Sequence, residues 1–280
     1  MSQRWVFDMS HAMRFVEARR VLMRSFLPDL QRQIKLQTAL DVGCGVGYFS
    51  ELLRDTGFSV VAFDGRRENV EEARSRFPEI SFLQADAEDV ATQNLGSFDL
   101  VLCFGFLYHL ENPFRAIRNL HALTAKILLI ESMCVPQQQP VLCLLDESHD
   151  KDQGLHYVAF YPSEACLVKM LYRSGFSFVY RLGNLPVHED FHSTLFRKKM
   201  RTMLAASKVP LNHSSLTLVS EPQTGLDGWA TVWGKLRRLV EQPYTSIWRP
   251  VKRLMVRVNR FNQKTWADKW ATLSRHLRLS

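Results

Sequence analysis

Three glycines alternate with other residues directly after the apolar run 39–42. Gly43, Gly45 and Gly47 precede a helix that we predict to begin near Tyr48. Glycine adopts positive φ at little cost and presents no Cβ to an approaching molecule. A turn of this kind between a strand and a helix is suited to holding a small ligand against the backbone.

Carboxylates accompany this turn and close the next two apolar runs. Asp41 precedes the glycines, Asp64 closes the run 59–64, and Asp86 closes the run 80–86. Core packing alone does not explain two acids that each end a strand, because burying an unpaired charge is costly. Asp41 has two interpretations, since its carboxylate can contact a ligand or hold the amides of the loop.

The spacing of the glycines separates this turn from other glycine-rich loops. It reads Gly-x-Gly-x-Gly, whereas a dinucleotide fingerprint reads Gly-x-Gly-x-x-Gly, and no Gly-Lys-Ser/Thr ending of a P-loop is present. The set resembles the class I S-adenosylmethionine-dependent methyltransferases. The resemblance implies that S-adenosyl-L-methionine is the cofactor and that residues 41–47 form its loop. It also implies that Asp64 binds the ribose hydroxyls and that Asp86 lies beside the adenine.

The stretch 97–113 resembles the fourth strand of the same family and the loop after it. Its motif Leu107-Tyr108-His109-Leu110 is similar to methyltransferases of small molecules and glycans, and also to enzymes that carboxymethylate the wobble uridine of tRNA. Phe104 is predicted to contact the cofactor. Phe106 and Tyr108 are candidates to lie near its sulfonium, because a ring face attracts a cation. Ordinary packing is an equal explanation for Phe106 and Tyr108.

His109 is the first candidate for a catalytic base, with Tyr108 beside it as a second catalytic candidate. A hydroxyl acceptor must lose its proton during methyl transfer, and histidine suits that role at neutral pH. The alternative is that His109 only shapes the loop by a hydrogen bond. Weaker candidates lie in the following segment: Glu147, His149 and His156.

The composition indicates a folded protein without metal or disulfide chemistry. The chain has 280 residues, of which 46% are hydrophobic, and this is enough for a large core. Its five cysteines form no Cys-x-x-Cys pair and no zinc-like group with histidines. The first residues lack an apolar signal core, and no apolar run is long enough to span a membrane. We therefore predict a cytoplasmic protein with no metal and no transmembrane segment.

Positive charge is concentrated at the end of the chain, although the net charge of the whole is only +8. The segment 247–261 has helical apolar spacing with arginines and lysines around it. A basic amphipathic helix has three interpretations: a helix docked on the domain, contact with an anionic membrane surface, or contact with nucleic acid.

Strands alternate with helical stretches from residue 38 onward, which is typical of a parallel sheet covered on both faces. The predicted fold is α/β, a Rossmann-like and mostly parallel seven-stranded sheet with N-terminal helices and a basic helical C-terminal extension. The expected strands are 38–43, 58–63, 80–84, 98–103, 126–131, 176–181 and 201–207, the last of them antiparallel. A further short strand at 216–219 is an option.

Three regions are expected along the chain. Residues 1–36 form a helical cap, with one helix over 10–24 and a second over 30–36 after Pro28. Residues 37–207 form the methyltransferase domain, and residues 208–280 form the extension, including a helix from about 228 to 239. The segments 132–160 and 184–200 are expected to be irregular and to form the acceptor pocket. The cap either covers the ligands or simply packs on the sheet edge.

The leading functional hypothesis is methyl transfer to a small molecule or a glycan. Two alternatives follow from the same residues: modification of tRNA, with binding driven by phosphates, and a non-catalytic adenosyl-binding scaffold. A nucleotide-dependent oxidoreductase is disfavoured by the glycine spacing.

Overall fold

A computed structural model of the chain describes residues 5–89, 94–150, 153–195 and 198–223. The expected helix at 228–239 and the basic segment 247–261 lie outside these residues, so both stay predictions. Within the described residues, no helix is long and apolar enough to cross a membrane.

Ten strands and five α-helices make up this part of the chain. The strands are β1 (Thr38–Val42), β2 (Ser59–Asp64), β3 (Ser81–Gln84), β4 (Phe98–Phe104), β5 (Thr124–Met133), β6 (Leu142–Asp146), β7 (Val158–Pro162), β8 (Phe178–Leu182), β9 (Arg201–Ser207) and β10 (Leu216–Leu218). The helices are α1 (Ser10–Ile34), α2 (Tyr48–Asp55), α3 (Arg67–Arg76), α4 (Pro113–Leu123) and α5 (Glu164–Arg173).

Eight strands form the main sheet in the order β10-β8-β9-β5-β4-β1-β2-β3. The strands β1 to β5 pair in parallel, and β9 runs antiparallel to β5 and β8 as predicted. The expected count of seven strands is corrected to eight, because β10 pairs antiparallel with β8 at the sheet edge. The predicted α/β class with a mostly parallel sheet is confirmed.

The strand order reverses between β1 and β4, which are parallel neighbours whose chain connections leave in opposite directions. In sheets of this type, a crevice opens at that point beyond the carboxyl ends of the strands. The glycine loop after β1 and the aromatic loop after β4 therefore meet at this edge.

Alternate residues of β4 show how the two faces of the sheet are covered. Val101 and Cys103 pack into the apolar cluster that includes residues of α4 and α5. Leu100, Leu102 and Phe104 pack into the opposite cluster with residues of α1 and α2. All five side chains are buried, so the central strand is covered on both faces.

The N-terminal region departs from the prediction of two helices. Ser10–Ile34 is one α-helix that continues through Pro28. A proline inside a helix costs about 3 kcal/mol, whereas full burial of each large apolar side chain gains about 1.5 to 3 kcal/mol. Phe26, Leu27 and Leu30 are all buried around Pro28, so packing on the sheet outweighs the local preference for a break.

The segment 132–160 also departs from its prediction, because it is not irregular throughout. β6 and β7 pair antiparallel as a separate two-stranded sheet, with Leu142 opposite Pro162 and Asp146 opposite Val158. The run Leu142–Asp146 is apolar and could have been recognised as a strand. Most of its side chains are exposed on the hairpin, so this strand adds little to the core. The second segment, 184–200, contains only a short 3-10 turn at Glu189–Phe191 among its described residues.

Candidate functional site

The glycine loop is held against the neighbouring strand by backbone hydrogen bonds. The amides of Gly43 and Cys44 donate to the carbonyl oxygen of Phe63 in β2, at 2.9 and 3.0 Å. Gly43, Gly45 and Gly47 have φ of 66°, 55° and 93°, in the region that favours glycine. The loop therefore has the positive-φ backbone that the sequence predicted.

Aromatic side chains fill the space beside these glycines. A Cβ on Gly43 would lie 2.2 Å from Cδ2 of Phe106, and one on Gly45 would lie 3.3 Å from the Phe7 ring. The two glycines thus allow Phe106 from the loop after β4, and Phe7 from the N-terminal segment, to pack directly on the backbone. This close packing defines one wall of the crevice.

Asp64 lies at the end of β2 and is connected to the glycine loop. Its Oδ2 accepts a hydrogen bond from the Gly45 amide at 2.9 Å. Its Oδ1 accepts from the Arg66 amide at 2.8 Å and from Nδ2 of Asn69 at 3.1 Å. A carboxylate offers about four acceptor sites, so these three bonds leave capacity for a ligand hydroxyl.

Asp41 serves the interior of the protein. It is buried at the end of β1, and its Oδ2 accepts a hydrogen bond from the Ser50 hydroxyl in α2 at 2.6 Å. Burial raises the pKa of Asp41 to about 7, against the opposing effect of the Ser50 hydrogen bond, and the nearby Asp64 charge adds to the rise. The structure thus connects Asp41 to α2, and its role at the cofactor stays a prediction.

Asp86 lies at the open side of the same crevice. Its side chain is exposed, and its Oδ1 accepts from the Glu88 amide at 2.8 Å. A first cavity brings Asp86 together with other predicted residues, namely Gly43, Gly45, Asp64, Phe106 and His109. The structure therefore collects most of the predicted cofactor residues around one space.

The first cavity suits the adenosyl group that the resemblance implies. Residues of the glycine loop, of the end of β2 and of the loop after β4 line this cavity together. One side presents the glycine backbone, and the other presents the Asp64 carboxylate with spare acceptor capacity. The hydroxyls of a sugar can donate to the Asp64 carboxylate, and a ring can lie against the glycine backbone.

His109 is paired with a carboxylate from the inserted hairpin. Its Nδ1 lies 2.6 Å from Oε1 of Glu147, which follows β6 directly. Oε2 of Glu147 accepts from the Gly154 amide at 2.8 Å, and the Glu147 side chain is buried. Glu147 therefore fixes the orientation of the imidazole and leaves its Nε2 for another partner.

A second cavity adjoins the first, and six residues line both: Phe7, Gly43, Gly45, Gly105, His109 and Gln153. Phe104 and Tyr108 line only the second cavity, together with residues of α1. Phe104 packs edge-on against Phe49 with ring centroids 5.3 Å apart. Tyr108 is buried beside His109, with ring centroids 4.2 Å apart, and burial raises the pKa of its hydroxyl.

The two weaker histidine candidates are placed differently. His156 is exposed and lines the first cavity. His149 is also exposed and packs against Tyr157, and it lines neither of the two cavities described here. The described residues contain no cluster of three or more His, Cys, Asp or Glu side chains that could hold a metal ion.

A charged cluster at the second cavity was missed by the sequence analysis. Glu131, fully buried near the end of β5, pairs with both Arg19 and Arg201. Glu131 directly follows an apolar run, as Asp64 and Asp86 do, and that signal could have identified it. No local pattern distinguishes Arg19 or Arg201 from surface arginines.

Comparison with known proteins agrees with this site. A family model described as a methyltransferase domain matches residues 40–126. The ubiquinone biosynthesis O-methyltransferase of Vibrio parahaemolyticus is 36% identical over 88 residues, which are 30% of this chain and 37% of that protein. The enzyme of the same name from Bordetella avium is 27% identical over 127 residues, 44% of this chain and 52% of that protein. The chain thus spans less than two thirds of the length of these relatives.

Two solved structures share the fold. The N-terminal domain of EvdMO1 with SAH bound has a TM-score of 0.53 at 19% identity, over 69% of this chain and 80% of that one. Magnesium protoporphyrin IX methyltransferase from Synechocystis PCC 6803 has a TM-score of 0.50 at 22% identity, over 72% of this chain and 88% of that one. A methyltransferase domain is thus matched over residues 40–126, and the fold of the chain is shared with these two structures.

Proposed function

We propose that this protein transfers a methyl group from S-adenosylmethionine to a hydroxyl oxygen of a small molecule or glycan. The observation that carries the proposal is the pair formed by His109 and Glu147, 2.6 Å apart where the two cavities meet. The first cavity is then the cofactor site, and the second is the acceptor site. The two relatives compared above are named O-methyltransferases, which supports oxygen as the acceptor atom.

His109 acts on the acceptor in this proposal. The cofactor supplies an electrophilic methyl group on a sulfonium. Nε2 of His109 would accept the hydroxyl proton of the acceptor as its oxygen takes the methyl group and the bond from methyl to sulfur breaks, with S-adenosylhomocysteine as the leaving group. The proton stays on the imidazole, and the Glu147 carboxylate at Nδ1 stabilises the positive charge that results.

The cap and the hairpin position the acceptor and exclude water. Several side chains of α1 line the second cavity, among them Phe15 and Val16. From the opposite side, Tyr161 of β7 packs edge-on against Tyr108 at 5.4 Å between ring centroids. Alignment of the two reactants contributes most of the rate in a displacement of this type. We therefore propose that the N-terminal cap covers the acceptor.

The cellular location belongs to the proposal as well. All five cysteines lie in the described residues and all are free thiols, which supports a reducing compartment such as the cytoplasm. Contact with a membrane or nucleic acid through 247–261 stays a prediction from the sequence.

Binding and turnover test the proposal separately. We expect wild-type protein to bind S-adenosylhomocysteine in calorimetry, with no heat from NAD. With radiolabelled S-adenosylmethionine and a panel of phenols and sugars, we expect methyl transfer that His109→Ala reduces by about 100-fold or more. His149→Ala is the matched control, because His149 contacts neither cavity, and it should keep full activity. Loss of turnover in both variants, or in neither, would contradict the role of His109.

A further inference from the structure

Two arginines from distant parts of the chain share one buried carboxylate. Nη1 of Arg19, in α1, donates to Oε2 of Glu131 at 3.0 Å. Nη1 of Arg201, at the start of β9, donates to Oε1 of the same residue at 2.8 Å. Since Glu131 is fully buried, the three side chains form a desolvated cluster with one net positive charge.

The cluster has hydrogen-bonding capacity that the described residues do not use. The side chains of Arg19 and Arg201 are only 7% and 12% exposed, and within the described residues neither buried Nε has a hydrogen-bond partner. Asp190 lies 3.6 Å from Nε of Arg201, which is an ion pair longer than a hydrogen bond. Buried N–H groups without partners are costly, so a ligand that supplies acceptors for them offsets that cost.

Both arginines face the second cavity and not the first. They line it together with Phe15, Tyr108 and His109, whereas neither lines the cavity that contains Asp64 and Asp86. The Phe15 ring lies under both guanidinium groups, 3.9 Å from Cζ of Arg19 and 4.4 Å from Cζ of Arg201. Stacking on a ring holds a guanidinium in one orientation.

The arginines lie close to the proposed catalytic base. Cζ of Arg201 is 5.5 Å from the centroid of the Tyr108 ring, and the His109 ring is 4.2 Å from the same centroid. Nη2 of Arg201 also donates to the Tyr108 hydroxyl at 3.3 Å. The guanidinium and the imidazole therefore flank one tyrosine, a separation that a single small aromatic acid can span.

We propose that Arg19 and Arg201 bind a carboxylate of the acceptor, so that the substrate is an acidic hydroxyl compound. The inference rests on the proposed function, because it identifies the second cavity as the acceptor site. A guanidinium matches the planar geometry of a carboxylate. Asp190, an ion pair of Arg201, adds a second negative charge beside the cluster, and this disfavours a phosphate dianion more than a carboxylate monoanion. Other charged side chains at the cavity, Arg14 and Glu189, are exposed and are screened by water.

A matched pair of probes tests this inference on the full-length wild-type protein. Calorimetry with S-adenosylhomocysteine present would compare 3,4-dihydroxybenzoate with 3,4-dihydroxybenzamide, which differ only in the charged group. We expect the acid to bind at least 10-fold more tightly than the amide. Equal affinities for the two probes would overturn the inference without the use of any variant.

Variants then assign the preference to the arginines. Arg19→Gln and Arg201→Gln should each reduce the preference for the acid to less than 3-fold. Arg24→Gln is the matched control, because Arg24 is an exposed arginine of the same helix that lines neither cavity, and it should leave the preference unchanged. Arg201→Lys keeps the charge beside Glu131 and is the substitute if Arg201→Gln does not fold. A preference that survives in both arginine variants would overturn the inference.

The cofactor also has a carboxylate. A second comparison therefore tests whether the arginines bind the carboxylate of the acceptor or that of the cofactor. S-adenosylhomocysteine has a carboxylate, and 5′-methylthioadenosine lacks one. If Arg19→Gln and Arg201→Gln weaken the first ligand at least 10-fold and spare the second, the arginines bind the cofactor and the inference is overturned. We expect both ligands to keep their affinity within 3-fold.

The proposed function can fail independently of this inference. His109→Ala should lose methyl transfer but keep the preference for the acid in binding. Absence of turnover in wild-type protein, with the acid preference intact, would contradict only the proposed function. Turnover without any acid preference would contradict only the inference.

Discussion

Glu147 and His109 are 38 positions apart in the chain, yet Oε1 of the first lies 2.6 Å from Nδ1 of the second. Their meeting depends on the hairpin of β6 and β7, because Glu147 follows β6 and its other oxygen binds the amide of Gly154 before β7. The insertion therefore contributes a side chain to the proposed active site and does not only cover it.

Replacement of the carboxylate should slow catalysis without loss of cofactor binding. In Glu147→Gln, we expect the turnover rate to fall about 10- to 100-fold, since a neutral amide stabilises a protonated imidazole less well. Affinity for S-adenosylhomocysteine should change less than 2-fold. Steady-state kinetics and calorimetry on the same sample would show both values. Unchanged turnover would mean that His109 needs no carboxylate.

The glycine loop provides a test with an internal control. Gly43 and Gly57 both have positive φ, but a Cβ on Gly43 would lie 2.2 Å from Phe106, whereas nothing lies within 4 Å of one on Gly57. Gly57→Ala should cost about 1 to 2 kcal/mol in free energy of unfolding, from backbone strain alone. Gly43→Ala should cost more and should weaken S-adenosylhomocysteine at least 10-fold. Urea unfolding and calorimetry would measure the two effects, and similar results for the two variants would contradict the packing of Phe106.

Asp64 should contribute directly to cofactor affinity. Loss of a charge-assisted hydrogen bond costs about 1.5 to 3 kcal/mol, so Asp64→Ala should weaken S-adenosylhomocysteine about 10- to 100-fold. Asp55→Ala is the control, because Asp55 ends α2 with a side chain that is 53% exposed. Calorimetry that shows a less than 2-fold effect for Asp64→Ala would remove Asp64 from the cofactor site.

The raised pKa of the Asp41 carboxyl predicts that the stability of the protein depends on pH. Burial raises the pKa of Asp41 to about 7, above its ordinary value of 3.8. The folded state therefore favours the protonated carboxyl. That contribution is complete below pH 3.8, and it is lost as the pH rises through about 7.

Asp41→Asn should remove this loss, because the amide stays neutral and its oxygen can still accept the Ser50 hydrogen bond. Without ligand, the free energy of unfolding of the variant relative to wild type should increase by about 2 to 3 kcal/mol between pH 5 and pH 7. Denaturant unfolding at the two pH values would measure this increase. The same difference at both pH values would show that Asp41 is already ionised in the folded protein at pH 5.

Local patterns in the sequence were sufficient for the central sheet and its loops. The apolar runs that end at Val42, Asp64 and Gln84 predicted parallel strands, and the glycines predicted a turn of positive φ. These features depend on near neighbours in the chain, because strand alternation and glycine conformation are properties of short segments. The carboxyl ends of parallel strands then necessarily lie at one edge.

Features that depend on distant packing were decided only by the tertiary structure. Pro28 predicted a break, but burial of Phe26, Leu27 and Leu30 keeps α1 continuous. His109 and Glu147 are separate candidates in the sequence, and only the hairpin of β6 and β7 pairs them. The three members of the charged cluster, Arg19, Glu131 and Arg201, come from α1, β5 and β9. A single sequence contains no signal for such contacts, because their free energy arises from burial and pairing that exist only once the distant elements have met.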